Sequence, residues 1–357
     1  MAMTHDFLDC TPWLGNEPVT ISRLGGSGFS GSRVFAVRRD SGAIFVLKSF
    51  PPATLATHAA WVHGLMRHLR AAGVDTVPHV IAVRPERRSG AGEGSTMAAD
   101  PEGVLWELVE FIAGSPRRAP TETEAATALI GLARLHVAAA TLPEAPPRPA
   151  ASPGIARRID QARRLVAAPW HLLAPSAAAT PNDAVHERLL RALEIFQTGG
   201  GRAAVDSLAT HEPLPELCQP VLRDLWSDHV LFAQDGRLAG FVDFHAAGCD
   251  TPATDLARLL GSWDASTGSG RETLADRWRG SLEAYETVRL LSPRERCLIP
   301  WLHATGVICG LDNWFRWLIT DRRQFDDMNR VLARLDRLLD ALPDALEGAR
   351  RAVSSQN

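Results

Sequence analysis

Apolar and polar residues alternate along three short stretches near the start of the chain. Val19–Leu24, Val34–Arg38 and Ile44–Phe50 each read as a strand, and Asp40-Ser41-Gly42 supplies the turn between the last two. Val77–Val83 and Val104–Ile112 predict a fourth and a fifth strand, and Ala113-Gly114-Ser115-Pro116 breaks the fifth. Between the third and fourth lies Thr54–Ala72, helical in period and closed by Gly73. Helical spacing then dominates: Glu122–Ala140, Gly154–Ala168, Asn182–Thr198 and residues 271–342 are predicted helices. In the last of them Phe325, Met328, Leu335 and Leu338 fall on one face as a core stripe. Arg84–Gly103, rich in Gly, Ser, Arg and Glu, reads as an exposed loop, and Pro143–Pro153 as an extended connector. One interruption stands out in the helical half. Val230-Leu231-Phe232 and Leu238–Val242 read as two strands around Gln234-Asp235-Gly236-Arg237, with Asp-Gly as the hairpin signal.

That hairpin brings residues before its first strand close to residues after its second. Asp224 and Asp243 therefore face one cleft within the segment 221–255. Alone, either aspartate reads as a turn residue; it is the pair around a hairpin that suggests chemistry. Near the other end of the chain, Gly26, Gly28 and Gly31 match G-x-G-x-x-G. A dinucleotide fingerprint leads into a helix, but these glycines lead into strand, turn and strand, the layout of a glycine-rich loop over nucleotide phosphates. No G-x-x-x-x-G-K-[ST] occurs, which sets aside a P-loop NTPase, and no G-x-S-x-G or H-E-x-x-H occurs to suggest a hydrolase. Lys48 sits inside the apolar strand Ile44-Phe45-Val46-Leu47-Lys48. A lysine in such a strand needs a partner, because burying it unpaired is costly.

Taken together, D-x-x-x-x-H-V-L-F, a hairpin, V-D-F and D-x-x-x-x-D-L-A resemble the aminoglycoside phosphotransferase and choline kinase family, as a divergent member. The resemblance implies an α+β, protein-kinase-like fold in two lobes. An antiparallel five-stranded sheet with one helix fills residues 1–112, and a larger, mostly helical lobe fills 113–357. It implies an ATP-dependent phosphotransferase acting on a hydroxyl of a small molecule, with ATP and Mg2+ or Mn2+ as cofactors. Asp224 corresponds to the residue that orients the acceptor hydroxyl, and His229 and Asp243 to the metal ligands. Gly26, Ser27, Gly28 and Lys48 correspond to the phosphate-binding groups, with Glu110 and Ile112 at the hinge that meets the base. Asp255 corresponds to a structural carboxylate that bonds backbone N–H groups of the catalytic loop or its own helix start. The motif L-A-R-L-H ending in His136 resembles the helix beneath that loop.

Three residues depart from the family pattern. Leu222 stands where the family has His, and His229 where it has Asn. The helix after Lys48, which supplies a pairing glutamate in kinases, contains no acidic residue. These departures leave a second reading, a catalytically impaired, pseudokinase-like nucleotide-binding or regulatory protein. His58, His63 and His68 recur every five residues and do not share a helical face, so they are not expected to bind metal. Six tryptophans crowd the second half, where most are expected in the core and where an aromatic-lined acceptor site is the alternative.

Length and charge narrow the picture further. The 357 residues can bury a large core, and a net charge of −3 implies no bulk attraction to nucleic acid or to an anionic membrane. The five cysteines are scattered with no C-x-x-C, which argues against a zinc site or a disulfide framework. Residues 1–10 lack a basic and an apolar signal region, and Cys297–Thr320 is interrupted by Pro300, His303, Asp312, Asn313 and Arg316. A cytoplasmic setting and a small-molecule partner are expected.

Overall fold

The structure is a computed structural model and describes residues 10–24, 31–51, 53–84, 95–173, 175–176, 183–210, 214–263, 274–325 and 327–354. A short helix α1 (Thr11–Leu14) leads into β1 (Val19–Arg23), β2 (Val34–Arg39) and β3 (Ile44–Ser49), followed by α2 (Ala56–Ala71), β4 (Met97–Ala99) and β5 (Leu105–Glu110). These strands form one antiparallel sheet in the order β1-β2-β3-β5-β4. Strand alternation divides the sheet's side chains between two cores. Phe35, Val37, Leu47, Trp106 and Leu108 pack with Trp13 and Leu14 of α1. Val46 and Val109 point the other way, into the main core with Val62, Leu65, Met66 and Leu69 of α2.

The fourth strand is not where the alternation placed it. Within Val77–Val83 only Val80 forms a bridge, with Val109. Pro78 has no N–H to donate, and the chain then leaves the sheet as the Val83 N–H bonds the Ser95 carbonyl. The strand beside β5 is instead Met97–Ala99, inside the stretch read as a loop.

Beyond β5 come β6 (Ser115–Pro116), α3 (Glu122–Ala139), β7 (Arg148–Ala150), α4 (Pro153–Ala167), α5 (Asp183–Thr198) and α6 (Gly201–Ala209). A capping box between Thr121 and Glu124 starts α3. The proline-rich connector is therefore not wholly irregular, because β7 pairs with β8 (Glu216–Val221). The predicted hairpin is β9 (Val230–Phe232) and β10 (Leu238–Phe241), with Gly236 at φ +81° in its turn. β11 (Gly248–Asp250) and α7 (Ala253–Leu260) follow, then α8 (Leu274–Glu286), α9 (Pro293–Phe315) with a π turn over Arg316–Thr320, and α10 (Met328–Ser354).

The hairpin is locked against the first half of the chain. The Phe241 N–H donates to the Thr76 carbonyl, and a Cβ on Gly240 would come within 2.5 Å of Ile112 and 2.6 Å of the Thr76 oxygen. A glycine there permits this close approach. No helix among the described residues is long and apolar enough to cross a membrane.

Candidate active site

The loop after β8 and the residues just after β10 are held in unusual backbone conformations. Arg223 has φ +63° and Asp243 φ +66°, two of the three non-glycine residues with positive φ among those described. Such positions persist only where surrounding contacts impose them. For Arg223 the contacts come from α7: Asp255 is fully buried and accepts from the Leu222 and Arg223 N–H groups, each at 2.7 Å. Behind it, His136 Nε2 lies 3.1 Å from the Asp255 carboxylate and His136 Nδ1 lies 2.8 Å from the Tyr285 hydroxyl. One turn along α7, Arg258 forms an ion pair with Asp224. α7 thus fixes both the backbone of the loop and its exposed carboxylate. The Ser227 N–H adds a third anchor, to Ser262 Oγ at 2.7 Å.

His229 links the two aspartates. Its Nδ1 is 2.7 Å from the Asp224 carbonyl oxygen, an acceptor, so Nδ1 carries the proton. Its Nε2 accepts from the Trp226 indole N–H at 2.9 Å and lies 3.5 Å from Asp243 Oδ2. Both ring nitrogens thus have protein partners. As a metal ligand through Nε2, His229 would have to give up Trp226.

Lys48 Nζ donates to Asp243 Oδ1 at 2.6 Å. Burial disfavours the Asp243 anion, but Lys48, His229 and His245 together outweigh that and hold its carboxyl well below the usual carboxylate range. The helix after β3, which lacks a glutamate, contributes a histidine to the sheet instead. The helix carries His63 and the strand carries the acid: His63 Nε2 meets Glu107 Oε2 at 2.6 Å, with Glu107 directly opposite Lys48 in the β3–β5 ladder. His245, just after Asp243, meets the other Glu107 oxygen at 2.8 Å and stacks on Phe50 with ring centroids 4.1 Å apart. Burial raises the Glu107 pKa, but His245 and His63 outweigh it and leave the acid well below its usual range. Sequence patterning shows only the absence of an acid in the helix. The signal available for Glu107 is an acidic residue between Trp106 and Leu108 in an otherwise buried strand.

Between the sheet and the hairpin lies a cavity of about 260 Å3 lined mainly by apolar side chains, among them Leu24, Val46, Met66 and Leu231. Lys48, Glu110, Ile112, His229 and Asp243, five of the expected site residues, also line it. Gly26, Ser27 and Gly28 lie outside the described residues. Asp224 and Asp255 are not on this wall; they meet the site through the loop. Among the described residues no cluster of three His, Cys, Asp or Glu side chains is arranged to hold a metal. A Mg2+ ion keeps most of its water and is commonly held by one or two carboxylates plus substrate phosphates. The ionised Asp243 carboxylate, with about one-third of its side chain exposed, fits that mode.

A second, larger cavity lies on the other side of α7. One of its walls includes His303, packed edge-on against Trp278 with centroids 5.1 Å apart. Burial first, and Arg277 second, push the His303 pKa down to about 4, against the opposing charge of Asp344. The unfolded chain therefore takes up this proton below pH ~6.5 while the folded chain stays neutral to about 4. His303 should leave stability unaffected above pH ~6.5 and lower it by roughly 3 kcal/mol as pH falls through this window. Unfolding midpoints from pH 7 to 4.5 should fall less steeply for His303→Leu than for the wild type, and parallel curves would remove His303 as the cause.

Residues 21–291 match the family described as the phosphotransferase enzyme family. A homoserine kinase of Ralstonia nicotianae is 28% identical over 293 residues, 79% of this chain and 77% of that protein. One of Burkholderia cenocepacia is 32% identical over 241 residues, 65% and 62% respectively. A shorter match, 44% identical over 85 residues, reaches a homoserine kinase of Polaromonas naphthalenivorans and spans only 26% of it. Among solved structures, a spectinomycin phosphotransferase in complex with ADP and spectinomycin aligns with TM-score 0.57 at 10% identity, covering 93% of each chain. An amicoumacin kinase in complex with AMP-PNP and Ca2+ aligns with TM-score 0.56 at 14% identity, covering 91% of this chain and 89% of the other. Likeness at this identity is a likeness of fold, here the two-lobed, protein-kinase-like α+β architecture.

Proposed function

The chain belongs to the phosphotransferase enzyme family and is a small-molecule phosphotransferase; from that premise we propose that it moves the γ-phosphoryl group of ATP to a hydroxyl of its acceptor, at the centre formed by Lys48, Asp243 and Asp224. The observation that carries this reading is the bridge at His229, which ties the Asp224 carbonyl to the neighbourhood of the Lys48–Asp243 pair on the wall of the apolar cavity. Residues 1–112 form the nucleotide lobe and 113–357 the acceptor lobe. The apolar cavity takes the base and sugar, with Glu110 and Ile112 at its hinge edge. Lys48 neutralises phosphate oxygens, and the glycine-rich stretch Gly26-Ser27-Gly28, outside the described residues, is assigned to the same phosphates. Asp243 would hold Mg2+, which would supply charge neutralisation on the transferring group. Asp224 accepts the hydrogen bond of the acceptor hydroxyl and orients its oxygen for attack.

His229 acts as a positioning residue in this reading. Its Nδ1–H fixes the backbone at Asp224, which would leave the carboxylate oxygens of Asp243 to hold the ion, a donor type suited to Mg2+. The departures that motivated an inactive, regulatory protein have substitutes here: Asp243 orients Lys48, and the His63–Glu107 pair joins α2 to the sheet. Homoserine is the acceptor in the names of the curated relatives and is the first to be tried.

Lys48→Ala tests the nucleotide half of the centre. Removing charge-assisted bonds to phosphate should raise the Michaelis constant for ATP by about 10- to 100-fold. Steady-state kinetics at varied ATP measure this directly. ATP binding indifferent to the change would leave Lys48 as no more than the partner of Asp243.

A further inference from the structure

The cavity beyond α7 has a volume of about 520 Å3, and its wall carries five arginines (Arg158, Arg258, Arg277, Arg334 and Arg337) against two aspartates (Asp340 and Asp344). Both aspartates are already engaged, Asp340 with Arg191 at 2.8 Å and Asp344 with Arg277 at 2.9 Å. Arg334 lies over the Trp226 ring, 5.0 Å from its centroid, and has no carboxylate partner among the described residues. Arg158 donates to the Gly154 carbonyl at 3.0 Å, and the Nε–H groups of Arg158, Arg258 and Arg277 are buried with no acceptor. The crowding has an electrostatic signature. Burial, then Arg258 and Arg337, lower the Arg334 pKa to about 10, although Asp224 and Asp228 act to raise it. Burial also lowers that of Arg158 to about 10, with Arg258 adding to it and the nearby Asp250 opposing. Asp250 is itself occupied by Ser152 Oγ and the Gly154 N–H.

This wall is joined to the catalytic loop at two points, Arg258 to Asp224 and Ser262 to Ser227. It is therefore placed to hold the body of an acceptor whose hydroxyl reaches Asp224. We infer that the acceptor is a net-anionic hydroxy acid, with its acidic groups against Arg158 and Arg334. The inference rests on the phosphotransferase reading above. An ammonium group would need a free carboxylate, but both lining aspartates already have arginine partners. Planar guanidiniums in this number match carboxylate or phosphate oxygens. In the reaction the acceptor oxygen forms a bond to the γ-phosphorus. The bond from that phosphorus to the β,γ-bridging oxygen breaks, and its electron pair leaves with ADP. The hydroxyl proton passes to Asp224 and then to solvent.

The test is a panel of acceptors sorted by charge: L-malate and citrate for carboxylates, 3-phosphoglycerate for phosphate, L-homoserine as a zwitterion, glycerol as a neutral, and choline and kanamycin as cations. ADP release and label transfer to the acceptor are followed together. At least one anionic acceptor should show kcat/KM about tenfold or more above every zwitterionic, neutral and cationic one. Arg158→Met and Arg334→Met should each raise its KM about tenfold or more, with partial rescue in Arg334→Lys and with thermal unfolding showing each variant folded. The carboxylate and phosphate arms separate the two anion types. Preference for homoserine, glycerol or a cation overturns the inference while leaving phosphotransfer intact, and so does an acid whose KM ignores both substitutions. If no acceptor is labelled, the phosphotransferase reading fails by itself, and calorimetric titration of citrate decides the cavity. Citrate binding lost in Arg334→Met upholds the anion site, and no citrate binding to the wild type overturns it.

Discussion

Asp224→Asn should lower turnover by ~10²–10⁴-fold, the range for removing a general base, while leaving ATP affinity near that of the wild type. The asparagine keeps the shape of the side chain and an oxygen for Arg258, so the ion-paired loop loses charge but not its packing. What it loses is the ability to accept the hydroxyl proton. Nucleotide affinity should survive because Asp224 is absent from the wall of the apolar cavity. ADP release under saturating ATP, beside a nucleotide titration, separates the two effects. Turnover equal to that of the wild type would remove Asp224 from the chemistry.

The largest structural effect is expected from Asp255→Ala. The Asp255 carboxylate is fully buried and receives two backbone N–H groups at 2.7 Å, with His136 at 3.1 Å. Alanine would leave these donors buried without an acceptor, at about 1–3 kcal/mol each. A loss of roughly 3–9 kcal/mol follows for the three donors, a large share of the ~5–15 kcal/mol that stabilises a typical protein. The positive φ of Arg223 also loses its restraint, so activity should fall even at temperatures where the variant is folded. Asp255→Asn should restore little, because its amide would turn a donor toward one of the two N–H groups. Thermal unfolding followed by circular dichroism measures the effect. A midpoint within a degree of the wild type would show that the loop does not depend on this carboxylate.

Much of this architecture was legible in the chain. The alternation of β2 and β3 and the Asp-Gly turn between β9 and β10 are local signals, and both elements form where the pattern places them. The edge of the sheet was not legible. Val77–Val83 has the right composition, but Pro78 and the Val83–Ser95 bond turn it away, and Met97–Ala99 becomes a strand only by pairing with β5. The site divides in the same manner. Asp224, Asp243 and Lys48, the residues proposed for the centre, stand out in the sequence by their spacing around turns and strands. Their partners do not, because contact depends on folding: Glu107 with His63 and His245, and His229 with Trp226, unite segments whose individual patterns are unremarkable. Arg258 was the nearest miss. It lies three residues after Asp255 and so on the same side of α7, the geometry that lets one helix hold both the loop backbone and Asp224. The arginine wall was hidden completely, since its members come from four helices between residues 158 and 337.

This centre should transfer phosphate and not merely bind nucleotide. The most direct measurement is transfer of a radiolabelled γ-phosphate from ATP with Mg2+ to the acceptor panel, with Asp224→Asn run alongside. Label is expected in one hydroxyl acceptor with the wild type, together with stoichiometric ADP, and ~10²–10⁴-fold more slowly with the variant. Tight ATP binding with no label in any acceptor, or equal transfer by both proteins, would contradict the account.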